Sequence, residues 1–183
     1  MKKEGAIEKF YQYSFPMQTV LVTCNDEKGK TNVITIAWHT PISKDPPLYG
    51  LSVGPSRYSH DLIAKNKEFV INFVPYDLVE KAHYCGTKSG RTLDKLKNAS
   101  LKTEPSQKIK VPLLKDCYAH LECTLVHQFS LGDHTFFVGK VLAVSSNTEA
   151  FENNLLKTES INPLYYIGAN SYTTLNGKIK KRF

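Results

Sequence analysis

The chain has 183 residues, enough for one domain with a proper core over 1–183 and too few for two comfortable ones. Hydrophobic residues at 41%, charged residues at 22% and aromatics at 11% exclude a disordered or fibrous chain. The formal charge of +7 invites anionic partners: Lys88 to Lys115 holds eight basic residues against Asp94 and Glu104, and KIKKRF closes the chain.

In chain order, the N-terminal MKKEGAIEKFYQYSF has neither a continuous apolar stretch nor a small-residue cleavage site, and no later run reaches the roughly 18 apolar residues of a membrane span. A cytoplasmic, membrane-free protein is expected. MQTVLVTCN (17–25) and TNVITIAWHT (31–40) are rich in β-branched and apolar residues around a DEKGK turn, which predicts a hairpin. PPLYGLSVG (46–54) opens with prolines that suit a strand entrance. SHDLIAKNK (59–67) predicts a short helix with Ser59 as cap. EFVINFV (68–74) predicts a strand, and PYDLVEKAHYCG (75–86) a second helix with Pro75 at its start and Gly86 at its end. Residues 87–116 form a polar excursion with two prolines and one helical turn at most, a length usual for functional or disordered loops. Residues 117–130 and 134–146 are long β segments around an LGD turn, a hairpin signal. Short helices among antiparallel strands favour a β-barrel with covering helices over a doubly wound sheet.

Several chemistries are absent. No GxGxxG or GxxxxGK[ST] motif is present, so a Rossmann or P-loop nucleotide site is not expected. No zinc-finger, basic-zipper or RNA-recognition signature accompanies the basic charge, so nucleic acid is not expected, and solvated surface charge competes with a small phosphorylated ligand. Cys24, Cys85, Cys117 and Cys123 form no CxxC pair and are expected to stay reduced. Cys117 and Cys123, six apart in one predicted strand, would stand roughly 20 Å apart along it, too far to bridge. His39, His60, His120 and His134 show no HxxxH spacing, and His83 with Cys85 is a lone two-residue match, so no metal site is expected.

The stretch GPSRYSHDLI (54–63) gathers donors at a strand-to-helix join. A helix starting near Ser59 leaves its first N–H groups without intrahelical partners and places positive partial charge there. Arg57 adds a guanidinium, and Ser56 and Ser59 add hydroxyls, a combination that would cradle a phosphate. A serine that only caps and an arginine that is only solvated fit the same residues.

NVITIAW, GPSRYSHDLIAKNKEFVINFV, CGTKSGRTLDK, CYAHLEC and LGDHTFFVGKV, in this order from about Phe15 to Tyr172, resemble the flavin reductase-like proteins with an FMN-binding split barrel, especially the flavoredoxin-type branch. The resemblance implies a mainly β fold with short helices, an antiparallel split β-barrel of Greek-key-like connectivity. It also implies a homodimer with FMN as cofactor and NADH or NADPH as electron donor. NVITIAW is similar to the segment along the flavin ring, which implicates Asn32, Val33, Ile34, Thr35, Ala37 and Trp38, with Ser52 from the next strand. SRYSH is similar to the phosphate and ribityl segment and implicates Arg57, Tyr58, Ser59 and His60. NFV implicates Asn72, CGTKSGRTLDK implicates Ser89, Arg91 and Lys95, and the GDH turn makes His134 the candidate catalytic residue.

Plainer readings stand beside these. Asn32 and Thr35 suit the strand and its turn, Trp38 suits a core, Asp133 and His134 suit a hairpin, and Arg91 and Lys95 suit solvated surface. Hydride transfer from nicotinamide to flavin is chemistry of the cofactors, so the protein need only hold two rings face to face and exclude other partners. Three functions fit: an NAD(P)H:flavin oxidoreductase, a flavoredoxin-type carrier that takes electrons from a redox protein partner, and a binding module for another phosphorylated ligand.

Overall fold

The structure, a computed structural model, describes residues 2–175. The basic KIKKRF segment (178–183) lies outside the described residues.

A 3-10 helix at Ile7–Ser14 leads into β1 (Met17–Gln18), β2 (Val20–Asn25), β3 (Thr31–Ile36), β4 (His39–Ser43) and β5 (Leu48–Val53). Helix α1 (Tyr58–Asn66) and strand β6 (Glu68–Phe73) follow, then α2 (Val79–Thr87) and α3 (Lys95–Asn98). The short β7 (Thr103–Glu104) and β8 (Leu113–Leu114) precede the long hairpin of β9 (Ala119–Leu131) and β10 (His134–Ser146). Beyond it lie β11 (Phe151–Glu152), β12 (Leu155–Leu156), α4 (Thr158–Ile161), β13 (Tyr165–Gly168) and β14 (Ser171–Thr173).

Seven strands form one antiparallel sheet in the order β3-β2-β6-β9-β10-β5-β4. Its edge strands, β3 and β4, are consecutive in the chain and separated only by Ala37 and Trp38. A sheet whose opposite edges are joined by two residues must curl until those edges meet, so it closes as a barrel with a seam at Ala37–Trp38. Ser52 N–H donates to the Trp38 carbonyl at 2.9 Å, carrying the β4–β5 ladder up to that seam.

The strand period of two divides the apolar residues between two cores. Val20, Val22 and Cys24 face Ile36, Ile34 and Asn32 across the β2–β3 pair. They pack inside the barrel with Leu51, Phe69, Ile71 and Phe137. Leu21 and Val33 point the other way and pack with Leu78, Ala82, Cys85 and Leu164 beneath α2. Both faces of β2 are therefore covered, which explains its run of five buried residues. Each fully buried large aliphatic side chain contributes roughly 1.5–3 kcal/mol. Gly139 admits the Phe69 ring: a Cβ there would stand 2.5 Å from Phe69 Cζ.

The excursion after α2 is ordered from the sheet rather than by its own pattern. Buried Asn72 donates to the Leu21 carbonyl at 2.9 Å and accepts from Leu114 N–H at 2.8 Å. Buried Glu122 accepts from the N–H groups of Gln107 and Lys108 at 2.8 and 2.7 Å. Thr23 Oγ1 donates to the Pro112 carbonyl at 2.8 Å.

Three local expectations need correction. Helix α1 begins at Tyr58, with Arg57 at the cap position and no side-chain cap bond, because the Ser59 hydroxyl is taken by Asn32. Gly86 lies inside α2, which runs on to Thr87. Cys117 precedes β9 instead of sharing its strand with Cys123, and all four cysteines are free and buried.

Candidate functional site

The seam opens on the outer face of β3, where the end of β5, the start of α1 and the end of α2 converge. Three compartments of about 130, 160 and 300 Å³ meet there, and Arg57 and Gly86 line all of them.

The smallest lies between the start of α1 and residues 85–90, with Tyr58, Ser59, Ser89 and Lys95 in its wall. Lys95 is only 4% exposed and donates to the Cys85 carbonyl at 2.9 Å. Burial, with the nearby Arg57 charge adding to it, lowers the Lys95 ammonium's pKa. Burial pushes the thiols of Cys24 and Cys85 up to about 11, so neither serves Lys95 as a thiolate counter-ion at neutral pH. The compartment's wall contains Arg57, Lys88 and Lys95 and no carboxylate. No side chain caps α1, and the N–H groups of Tyr58 and Ser59 at its start lie at the same end, while that of His60 is held by the Arg57 carbonyl at 2.9 Å. Such a recess takes an anion.

Gly90 lets the covering segment close: a Cβ on it would stand 1.9 Å from Asn32 Oδ1. Asn32 itself is buried and holds Ser59 through Nδ2 at 2.7 Å, so it positions the recess from behind.

The middle compartment runs along Ile34–Trp38, with Ser52 and His134 at its other side. Thr35 Oγ1 donates to the Ala82 carbonyl at 2.5 Å, which fixes α2 against β3. The Trp38 and His134 rings stand 4.9 Å apart at 34°, and Tyr11 packs on Trp38 at 5.8 Å. Asp133 Oδ1 lies 2.8 Å from His134 Nδ1, and this hydrogen bond holds the Asp133 carboxyl below its ordinary value. Gly132, at φ 63°, occupies the first loop position of the β9–β10 turn, where a II′ hairpin places glycine. A flat hydrogen-bonding floor thus continues into an anion recess.

Ile34, Thr35, Ala37, Trp38, Ser52 and Arg57 come together here, joined by Tyr58, Ser59, Ser89, Lys95 and His134. Four side chains of the sequence expectation do not. Val33 is fully buried with Leu21, Ala82 and Cys85 beneath α2 and lines none of the three compartments. Asn72 is wholly consumed in tying β6 to β2 and β8. His60 meets Thr135 Oγ1 through Nε2 at 2.9 Å and packs edge-on against Phe137. Arg91 pairs with Asp61 at 2.6 Å and lies over the Tyr58 ring, lowering the Asp61 carboxyl's pKa. Sequence reasoning missed the third compartment's walls, made by His83 and Thr87 of α2 and by Tyr166, Asn170 and Tyr172 of the β13–β14 hairpin. The alternating YYIGANSYT run around a small-residue turn was the available signal.

A separate recess of about 700 Å³ lies among Tyr49, Phe73, Tyr118, Val141 and Phe151. No acidic, lysine or arginine side chain lines it, so it lacks the anchoring chemistry of the seam. Among the described residues, no three His, Cys, Asp or Glu side chains group to hold a metal, and no helix is long and apolar enough to cross a membrane.

The barrel is antiparallel and open along one seam, where a floor along Ile34–Trp38 runs into a cationic recess. The flavin reductase like domain matches residues 12–175, and the chain belongs to the flavin reductase-like family. An uncharacterized protein of Archaeoglobus fulgidus is 39% identical over 142 residues, 78% of each chain. The solved FMN-binding protein of Thermus thermophilus with bound 1-cyclohex-2-enone is 29% identical, with TM-score 0.85 over 100% of this chain and 98% of that one. Flavoredoxin of Methanosarcina acetivorans is also 29% identical, with TM-score 0.85 over 96% and 92%. A Shewanella frigidimarina structure described as carrying a split barrel domain, 18% identical with TM-score 0.86 over 98% and 94%, shows the fold: this chain is a split barrel.

Proposed function

We propose that this single-domain chain binds FMN at the seam and works as an NAD(P)H:flavin oxidoreductase. The observation that carries the reading is Lys95, a buried cation with no carboxylate partner, at the closed end of a groove whose floor is a strand edge. The residues fit the group. Lys95, Arg57 and the first N–H groups of α1 would hold the phosphate, and Ile34–Trp38 would lie along the ring. Bound FMN supplies hydride acceptance from a reduced nicotinamide. Trp38 and His134 would cover the ring side of the groove and limit water there, with Asp133 fixing the imidazole orientation. His134 is the proposed catalytic residue, orienting the nicotinamide or donating a proton.

The FMN-binding protein at 29% identity supports the cofactor assignment. A homodimer, as the family resemblance implies, is part of the proposal, and Phe129 and Leu131 at the tip of the β9–β10 hairpin are exposed apolar side chains that a partner could cover. Four free, buried thiols suit a reducing compartment, the cytoplasm. The flavoredoxin likeness favours one second reading, a carrier that keeps FMN and exchanges electrons with a redox protein.

One experiment separates these. Protein incubated with FMN and passed through gel filtration is expected to retain flavin absorbance that bleaches with NADH or NADPH under anaerobic conditions. Retained bands that neither nucleotide bleaches would favour the carrier. Loss of the flavin together with no turnover of free FMN would refute both readings.

A further inference from the structure

A groove of about 540 Å³ runs between the N-terminal 3-10 helix and the segment Ala37–Pro41. At one end it shares Ala37, Trp38 and Ser52 with the ring floor, and at the other Gln18, Pro41 and Tyr49 with the recess of about 700 Å³. Phe10, Tyr11, Trp38 and Phe136 make its walls aromatic, with Tyr11 packed on Trp38 at 5.8 Å. Among the described residues, no Asp, Glu, Lys or Arg side chain lines it. Its size falls in the range of roughly 300–1,000 Å³ usual for small-molecule sites. Such walls take a neutral planar ring.

The polar groups toward the recess end are committed in one direction. His39 Nε2 lies 2.9 Å from the Gln18 carbonyl, which can only accept, so Nε2 carries the ring proton. Burial lowers the pKa of His39 and keeps the imidazole neutral, which leaves Nδ1 an acceptor. The Tyr49 hydroxyl, 2.8 Å from Nδ1, therefore donates to it, and the two rings stack at 5.8 Å and 22°. Tyr49 Oη has spent its proton and keeps only acceptor capacity. The Ser14 hydroxyl likewise donates to the Tyr11 carbonyl at 2.7 Å and the Thr40 hydroxyl to the Pro41 carbonyl at 3.2 Å. Gln18 donates from Nε2 to the Tyr118 hydroxyl at 2.8 Å and retains Oε1. The uncommitted hydroxyl protons, on Ser52 and on Tyr11 beside Trp38, lie toward the ring floor. At the recess end lone pairs outnumber protons, and a ligand O–H supplies what is missing.

We propose that this groove binds a small neutral phenol, with the ring among Tyr11, Trp38 and Phe136 and the hydroxyl donating to Tyr49. The site goes beyond the flavin reading and does not rest on it, since none of the residues that wall the anion recess lines the groove. A ligand held there reaches the ring floor at Ala37, Trp38 and Ser52.

Trp38 is the only tryptophan of the chain, so an isotope-labelled sample gives one indole N–H resonance, and that resonance reports on the groove. The test follows it in the full chain without flavin, during titration with p-cresol and with 4-methylanisole, which differ only by methylation of the hydroxyl. p-Cresol should saturate the shift at a concentration about five-fold lower, as one neutral hydrogen bond gives. Tyr49→Phe should bring the two probes within about two-fold of each other. Tyr11→Ala should weaken both and keep the preference, with thermal unfolding showing that each variant folds. Equal affinities in the wild type, no shift with either probe, or a preference that survives Tyr49→Phe would overturn the proposal. A resonance that moves on dilution of the chain alone, with neither probe effective, would also overturn it and assign the groove to a second copy. Because the readout needs no flavin, a chain that fails to retain FMN leaves this test intact, and a chain that ignores the hydroxyl leaves the cofactor reading intact.

Discussion

Two polar regions lie against the same barrel and differ in how their buried groups are matched. Between β2, β6 and β9, buried Glu122 accepts from the Gln107 and Lys108 N–H groups of the excursion at 2.8 and 2.7 Å, and buried Asn72 accepts from Leu114 N–H of the excursion at 2.8 Å and donates to the Leu21 carbonyl of β2 at 2.9 Å. At the seam, Lys95 is as deeply buried yet has one carbonyl for a partner and no counter-ion. Both sets cost desolvation, but only the first recovers it within the chain. Saturated polar burial marks the scaffold, and unmatched charge marks the place that expects a ligand.

The largest effect tests the scaffold side. Glu122→Ala removes the buried carboxylate that accepts from the Gln107 and Lys108 N–H groups and should cost about 3 kcal/mol in urea unfolding. Lys95→Met, the parallel change at the seam, should leave stability equal or higher, since a buried unpaired charge is replaced by an apolar chain of similar length. Equal losses in the two variants would erase the distinction between the regions.

A smaller effect follows from pH. Burial lowers the pKa of His120 and His39 below the ordinary histidine value of 6.5. The unfolded chain therefore binds protons that the folded chain refuses. Their contribution to stability is complete above about pH 6.5 and falls as pH drops from there toward the folded values. Asp61, lowered by Arg91, keeps its contribution above its ordinary value of 3.8 and loses it only in more acidic solution. Urea midpoints from pH 8 to 5 should thus fall below about pH 6.5, and a flat profile would contradict neutral burial of both imidazoles.

The smallest effect is local. Ala169→Gly relieves a left-handed alanine in the β13–β14 turn and should stabilise by about 1 kcal/mol. A loss of stability would mean that the alanine methyl packs in the fold.

Local patterns made the scaffold largely legible. The β-branched and apolar runs VLVTCN and EFVINF, the DEKGK and LGD turns, and the short α1 pattern all act within a few residues, so the strands and hairpins could be read directly. Partner-dependent roles could not. Asn72 was drawn toward the flavin by its motif, yet its acceptor is held by Leu114, 42 residues away. Ser59 looked like a cap, but Asn32, 27 residues earlier, takes its hydroxyl. The order in the 87–116 excursion comes from Glu122 and Asn72, which no pattern within that stretch discloses. At the seam, the Ile34–Trp38 floor and the Ser89–Lys95 segment were reached through resemblance, whereas Arg57 and Ser59 were also legible as donors gathered at a strand-to-helix join. The hairpin carrying Tyr166 and Tyr172 lies beyond LGDHTFFVGKV, the last stretch that carries the resemblance.

The most direct measurement compares the affinities of FMN and riboflavin, which differ only by the phosphate, for the wild-type chain and for Lys95→Met. The wild type should bind FMN at least ten-fold more tightly, as one charge-assisted contact of roughly 1.5–3 kcal/mol requires, and Lys95→Met should lose most of that preference. Equal affinities in the wild type would contradict the phosphate assignment of the Lys95 recess.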